Sequence, residues 1–141
     1  VALGTDNVFL NSPSMFREMA YTAKLMDVST VEVLQMATIN GAKAMGLEKE
    51  IGSIEPGKKA DFILVDMDKP HLTPAPDPVS TIVYAAHGSD VDTVVIDGKM
   101  VMEHRNVRTL DEERIVKEAR RRFPEVMQRG ELDIGPRWPV L

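Results

Sequence analysis

The order of hydrophobic and polar positions predicts that the chain opens with a strand and then a helix. Residues 1–6 form a short apolar run that ends in the carboxylate of Asp6, which is typical of a buried parallel strand with a polar tip. Ser12 can cap a helix whose first position is Pro13, where a missing N–H costs nothing. Six apolar residues then share one helical face: Met15, Phe16, Met19, Ala20, Ala23 and Met26.

Two further helices are expected before residue 50. The stretch from Ser29 to Glu32 has the spacing of a capping box, in which the serine hydroxyl and the glutamate carboxylate satisfy exposed backbone N–H groups reciprocally. Thr38 is expected to cap a short helix that Gly46 ends.

From Ile51 onward the pattern favours strands. Residues 61–66 are apolar and β-branched between turn residues, which predicts a buried strand. Residues 69–78 hold four prolines and are expected to form an irregular surface connection before a brief helix. The pair Asp97 and Gly98, between two apolar runs, predicts a hairpin with a type I′ turn.

The last part of the chain predicts one charged amphipathic helix and an extended tail over residues 130–141. Residues 109–112 have the spacing of a second capping box, and Pro124 is expected near the end of the helix. Its apolar side chains are expected to face inward: Ile115, Val116, Ala119 and Phe123. The arginines at 120–122 indicate a solvated face that pairs with neighbouring acids.

Composition narrows the classes of function. Apolar residues make up 43% and charged residues 28%, as in ordinary globular domains, and the net charge of −5 gives no basic face for nucleic acid. There are no cysteines, which excludes disulfides and thiolate sites and agrees with a cytoplasmic location. No apolar stretch is long enough for a membrane span. Val1 in place of an initiator methionine indicates truncation or processing.

Asp6 is the one residue whose position suggests chemistry. A carboxylate at the end of a buried strand can bind a divalent metal and move a proton to and from metal-bound water, but the same residue could equally cap the turn before the helix. The three histidines, His71, His87 and His104, are scattered over loop and hairpin, which favours surface or packing roles for them.

Four motifs together resemble the amidohydrolase superfamily, in its branch of cytosine deaminases, chlorohydrolases and adenosylhomocysteine deaminase-like enzymes. Residues 3–6, Leu-Gly-Thr-Asp, are similar to the motif of the last barrel strand in that family. Residues 36–47 resemble its helical stretch after the barrel, residues 51–61 its entry into a β-sandwich, and residues 91–99 a late hairpin of that sandwich.

The resemblance implies a mixed α/β fragment in three parts. Residues 1–50 would be the last β-strand and helices of a (β/α)8, or TIM, barrel of a metal-dependent hydrolase. Residues 51–107 would be the C-terminal portion of a composite β-sandwich, and residues 108–141 a C-terminal helix and extended tail. The missing barrel would need about 200 residues or more.

The resemblance also implies site residues and a cofactor. Asp6 would be both a metal ligand and a catalytic proton shuttle, while Asn7 and Asn11, in the loop at the barrel mouth, would neighbour the substrate. The parent would hold a divalent metal, zinc or sometimes iron, with the help of four histidines that this chain lacks. Because a catalytic zinc takes three or more protein ligands, the fragment alone is expected to hold no metal and to be inactive.

The implied function of the parent is hydrolysis of a carbon–nitrogen bond in a small heterocyclic amine, with release of ammonia. A dechlorinating hydrolase with the same machinery is one alternative. A noncatalytic binding or assembly module is a second, and a His-x-His motif encoded upstream of Val1 would distinguish the enzyme from the module. We expect no nucleic-acid or membrane partner, and homo-oligomers that form through the surface left uncovered by the missing barrel.

Overall fold

The computed structural model describes residues 1–6 and 12–131. The chain forms two compact units, Val1–Asn106 and Val107–Leu141. The first unit contains four helices and a small antiparallel sheet, and the second contains one long helix. The expected mixture of α and β structure is therefore confirmed.

The described part of the first unit has four helices, three of which share a buried core. The four helices are α1 (Met15–Leu25), α2 (Thr30–Met36), α3 (Ile39–Ala44) and α4 (Pro78–Ala85). Met19 of α1, Val33 of α2 and Val83 of α4 are almost fully buried against one another. Partly buried side chains surround them: Leu3, Phe16, Ala23, Val28, Leu34, Ala37 and Ile82. The apolar face predicted for the first helix is thus largely covered within this unit.

The predicted start of α1 is wrong by two residues. The helix begins at Met15, and the hydroxyl of Ser14, not that of Ser12, accepts a hydrogen bond from the N–H of Arg17 at 3.4 Å. Ser12 instead uses its carbonyl oxygen to accept a hydrogen bond from the Arg17 guanidinium. Ser12 and Ser14 have the same capping chemistry. The prediction favoured Ser12 because Pro13 follows it, and proline is common at the first position of a helix.

The capping box at the start of α2 is confirmed. The N–H of Ser29 donates to a carboxylate oxygen of Glu32 at 2.8 Å, and the N–H of Glu32 donates to the Ser29 hydroxyl at 3.3 Å. Thr38 occupies the position before α3, but its hydroxyl donates to the carbonyl oxygen of Leu34 at 2.7 Å. The predicted side-chain cap of α3 is therefore wrong, because the end of α2 lies within reach of the same hydroxyl.

Residues 1–6 are not in a strand, contrary to the sequence-based expectation. A strand is defined by the ladder it forms with a neighbour, and the described residues contain none beside this segment. The segment instead contacts the helices, since the N–H of Leu3 donates to the carbonyl oxygen of Met36 at 3.0 Å.

The sheet has four strands in the order β1 (Phe62–Val65), β2 (Val91–Ile96), β3 (Lys99–Glu103) and β4 (Asn106–Val107). β2 pairs antiparallel with both β1 and β3. Ile96 and Lys99 are paired across the turn between β2 and β3. Both turn residues have positive φ, 51° at Asp97 and 71° at Gly98, as a type I′ turn requires. The predicted hairpin is confirmed.

The prediction that residues 61–66 form a buried strand is right about the strand and wrong about its burial. β1 is the outer strand of the sheet, and the side chains of Ile63 and Leu64 are about half exposed, at 47% and 53%. The apolar composition of a strand does not reveal whether a covering layer lies within the same chain.

The proline-rich connection between β1 and α4 is more ordered than predicted. It contains a 3-10 helix at Pro70–Leu72, and the side chain of Leu72 is 1% exposed. The carboxylate of Asp77 caps α4 by accepting hydrogen bonds from the N–H groups of Val79 and Ser80.

The second unit contains α5 (Glu112–Arg129). Asp111, not Thr109, caps it, because the Asp111 carboxylate accepts from the N–H of Arg114 at 2.9 Å. Pro124 lies inside the helix instead of near its end. The expectation that the apolar side chains face inward is also wrong within this unit, where they are exposed: Ile115, Val116, Ala119, Phe123 and Val126.

Candidate functional site

Asp6 ends a segment that is anchored at two points on the helical layer. The Leu3 N–H bonds to the carbonyl of Met36 at the end of α2, and the Leu3 side chain packs against the helical core. The side-chain amide of Asn40 in α3 donates to the carbonyl oxygen of Val1 at 3.0 Å. These contacts fix the backbone that leads to Asp6 while the Asp6 side chain itself is exposed.

The backbone at Asp6 is in the left-handed region, with φ 48°. Aspartate tolerates this conformation better than most residues do, and such positions are concentrated at turns and functional sites. The alternative in which Asp6 caps the turn before α1 concerns residues 7–11, which lie outside the described residues, so it stays open. The hydroxyl of Ser14 caps α1 itself.

Asn7 and Asn11, the two predicted substrate neighbours, lie outside the described residues. Their predicted role therefore stays a prediction.

The donor set around Asp6 is incomplete for a metal. Within residues 1–6 and 12–131, no three His, Asp or Glu side chains come together as a metal site would require. A catalytic zinc takes three or more protein ligands. The described residues therefore do not form a complete metal site by themselves, and the role of Asp6 as a metal ligand stays a prediction.

The three histidines lie beside the sheet, where each has a carboxylate or ring partner. The Nε2 atom of His71 is 3.0 Å from a carboxylate oxygen of Asp90, and the His71 ring stacks on the ring of His87. His104 lies 3.4 Å from the carboxylate of Asp92. The rings of His71 and His87 thus contact each other, whereas the side chain of His104 is 83% exposed. The surface or packing roles expected of the three histidines stay predictions.

Asp90 is the residue that the sequence analysis missed. It is 3% exposed, although an aspartate is rarely buried without partners. The signal that could have indicated it is the Gly88-Ser89-Asp90 turn sequence directly before an apolar strand.

An apolar groove of about 720 Å³ lies between the helices and the sheet of the first unit. Its walls include Leu34 of α2, Ile54 in the loop after α3, Ile63 of β1 and Ile96 of β2. Ile54 and Ile96 are exposed, at 82% and 52%. The few polar groups in the groove, among them Thr38 and Asp61, do not form a catalytic set.

The sequence profile of the Amidohydrolase family matches residues 1–101. Since that is more than half of the chain, the protein belongs to the amidohydrolase family, as the four motifs indicated.

Curated relatives carry the names of deaminases. The chain is 52% identical, over 82% of its length, to a 5-methylthioadenosine/S-adenosylhomocysteine deaminase of Acetivibrio thermocellus, of which it covers 29%. It is 46% identical, over 92% of its length, to a 5'-deoxyadenosine deaminase of Methanosarcina mazei, of which it covers 32%. The chain therefore spans about a third of the length of the curated relatives it matches.

Solved structures show the same relationship. An adenosine deaminase from Xanthomonas campestris with bound zinc superposes with a TM-score of 0.83 at 32% identity, over 90% of this chain and 31% of that one. A zinc complex of atrazine chlorohydrolase from Arthrobacter aurescens superposes with a TM-score of 0.60 at 27% identity, over 66% of this chain and 20% of that one.

None of the helices in the described part of the chain has the length and apolar character needed to cross a membrane.

Proposed function

We propose that this chain is the C-terminal third of a zinc-dependent aminohydrolase that removes the amino group from an adenosine derivative as ammonia. The observation that carries the proposal is the 52% identity to a 5-methylthioadenosine/S-adenosylhomocysteine deaminase across most of the chain. Asp6 at the end of its anchored segment supports it, because the family resemblance gives this aspartate the metal-ligand position.

The structure of the parent follows from the same proposal. Residues 1–50 would be the last strand and helices of the (β/α)8 barrel, residues 51–107 the C-terminal part of the β-sandwich, and residues 108–141 a C-terminal helix and tail. The remaining two-thirds of the parent would provide the strand beside residues 1–6. It would also cover the groove lined by Ile54, Ile63 and Ile96, since apolar surface of this kind is normally buried.

Asp6 would contribute one oxygen ligand to the metal and hold a proton at its carboxylate during the reaction. The metal, when bound, supplies Lewis-acid activation of water. The other ligands would come from the parent outside this chain. Asn7 follows Asp6 directly, and Asn11 comes five positions after Asp6. Both would line the substrate side of the site, where amides can donate to and accept from a purine ring.

A dechlorinating hydrolase is the second candidate, and the similarity to atrazine chlorohydrolase supports it. The identity is lower and the matched share of the chain smaller than for the deaminases, so we favour deamination. A noncatalytic module is the third candidate. An upstream reading frame with a His-x-His motif would support the enzyme, and a start codon beside Val1 would support the module.

The direct test is an assay of the complete reading frame that contains this chain, loaded with zinc. The substrates are 5'-methylthioadenosine, S-adenosylhomocysteine and 5'-deoxyadenosine, with ammonia as the measured product, and a chlorotriazine with chloride as the measured product. Ammonia release from the nucleosides supports the proposal. Chloride release without ammonia release would replace it by the second candidate, and neither activity in metal-loaded protein would favour the module.

The parent would act in the cytoplasm, and the chain by itself would self-associate. The surface expected to drive association is the one that the barrel would cover. The apolar face of α1 is largely covered within the first unit, so the surface available at this helix is its C-terminal end. Tyr21, Leu25 and Met26 are exposed there, at 54%, 83% and 50%. Light scattering of the chain should show oligomers that Leu25→Glu reduces and that Leu110→Glu, at an exposed leucine of the other unit, leaves unchanged.

A further inference from the structure

The Asp90 carboxylate is buried and receives two hydrogen bonds on the same oxygen. The N–H of His87 donates to Oδ2 at 2.7 Å, and Nε2 of His71 lies 3.0 Å from Oδ2. The two imidazole rings stack with their centroids 5.4 Å apart and their planes within 15°. A buried carboxylate needs such partners, because an ionised group without them is costly to remove from water.

The backbone around Asp90 connects three other segments of the first unit. Its carbonyl oxygen accepts from the N–H of Asp66, just after β1, at 2.8 Å. The guanidinium of Arg105, in the turn after β3, donates to the carbonyl oxygens of Ser89 and Val91 on either side. The side-chain bond from His71 brings in the 3-10 helix at Pro70–Leu72. Asp90 and its two neighbours in the chain, Ser89 and Val91, are therefore the common partners of segments far apart in sequence.

This junction also joins the sheet to the helical layer. The 3-10 helix contacts α4, and Leu72 beside His71 is 1% exposed. Val83 of α4 packs in the core with Met19 of α1, the first helix after Asp6. The sheet is therefore connected to that core through the 3-10 helix, whose His71 is hydrogen-bonded to Asp90.

We propose that Asp90 and His71 form a latch that holds the connection 66–78 on the sheet while Asp90 is ionised and releases it when Asp90 is protonated. Both partners of Oδ2 are donors when His71 carries a proton on Nε2. Protonation of the carboxylate removes the negative charge that strengthens these two hydrogen bonds, so both become weaker. The release is local, because β2 and β3 are held together by their own ladder.

The charged and titratable groups that face Asp90 determine the sign of the pH dependence. They are His71 and His87, Asp66 and Lys69 after β1, and Arg105 in the turn after β3. Burial raises the pKa of Asp90, but the hydrogen bonds from His71 and from the His87 backbone, with the attraction of both imidazoles, outweigh it and leave the pKa below the ordinary value of 3.8. The stabilisation is therefore complete above pH 3.8 and is lost as the pH falls through the lowered pKa.

The test is hydrogen–deuterium exchange by NMR on the 141-residue chain, with the amides of Asp66 and His87 as latch reporters and the amides of β2 and β3 as references. In the wild type, the reporters should exchange faster relative to the references only below pH 3.8. In Asp90→Asn they should exchange at least about tenfold faster already at pH 7, since a charge-assisted hydrogen bond is lost. Asp92→Asn, the same change two residues along at a partly exposed carboxylate, should behave as the wild type.

His71→Gln is a second variant, which keeps a neutral hydrogen-bond donor at this position. With it, the test does not depend on how well Asp90→Asn folds. Its reporters should stay protected at pH 7 and be released at a higher pH than in the wild type, because the charge that stabilises the ionised carboxylate is gone. The latch would be overturned if the reporter amides were equally protected in Asp90→Asn and in the wild type. It would be overturned as well if reporters and references lost protection together at every pH. A release pH unchanged in His71→Gln would also overturn it.

Discussion

The N–H of Leu3 bonds to the carbonyl oxygen of Met36, the last residue of α2, at 3.0 Å. Carbonyl groups in the last turn of a helix have no partner within the helix, and here one of them holds the segment that leads to Asp6. Thus α2, together with the core that fixes it, determines where the candidate metal ligand lies.

Gly52 is predicted to tolerate no side chain, for a reason separate from its backbone angle. Its φ is +92°, and an added Cβ would lie 2.7 Å from the Cβ of Ala42 and 3.0 Å from the Cα of Ile39, both in α3. Gly57 is the matched control, with φ +89° and open space around the same position. Gly57→Ala should cost about 1–2 kcal/mol of unfolding free energy for the left-handed backbone alone. Gly52→Ala should cost about 1–3 kcal/mol more, because a backbone atom must move.

Urea unfolding of both variants measures this difference. Equal losses for Gly52→Ala and Gly57→Ala would show that the loop after α3 does not approach the helix as closely as described.

The turn between β2 and β3 is predicted to be sensitive to a β-branched residue. Gly98 has φ +71° with nothing within 4 Å of an added Cβ, so Gly98→Val is penalised by conformation and not by a clash. We expect a lower melting temperature, by an amount equivalent to about 1–2 kcal/mol. Lys99→Val, one residue along in an exposed and extended position, should leave the melting temperature nearly unchanged. A melting temperature unaffected by Gly98→Val would contradict the turn assignment.

Glu118 in α5 is predicted to titrate in an unusually acidic range. Hydrogen bonds from the guanidinium groups of Arg121 and Arg122 lower its pKa to about 2 from the ordinary value of 4.5. A lowered pKa in the folded helix means that the contribution of this cluster is present above pH 4.5 and is lost as the pH falls toward 2. An NMR titration of the Glu118 carboxyl carbon should show this midpoint, and Arg121→Gln should move it upward. A midpoint near 4.5 in the wild type would mean that the arginines are solvated separately.

Local sequence rules predicted the elements whose partners are close in the chain. The Ser29–Glu32 capping box is one example, because its hydrogen bonds lie within a few residues. The turn at Asp97 and Gly98 is another, because its conformation depends on the positive φ that these two residue types adopt. Where two polar residues could serve as the cap, as with Ser12 and Ser14, the choice depended on packing of α1 that the local pattern does not contain.

The rest could not be predicted because it depends on distant residues. The burial of Asp90 requires a histidine from a proline-rich connection 19 positions away, and nothing in the spacing of His71 indicates that partner. The exposure of Ile63 and of the apolar residues of α5 could not be predicted, because apolar composition alone does not indicate whether a strand or a helix is covered. For the candidate site, the sequence pattern indicated Asp6 because it ends an apolar run. Its chemical role was predicted only from the resemblance to a family.

The most direct test of the central claim is the turnover and metal content of the complete parent enzyme carrying Asp6→Asn, with Asp27→Asn, at an exposed aspartate after α1, as the control. Asparagine keeps the size and one oxygen but removes the charge and the basic site. We expect the rate of deamination to fall by about a hundredfold to ten-thousandfold, even after titration with zinc, while Asp27→Asn stays near the wild-type rate. Near-normal turnover of zinc-titrated Asp6→Asn would contradict the account and leave Asp6 as a residue of the turn.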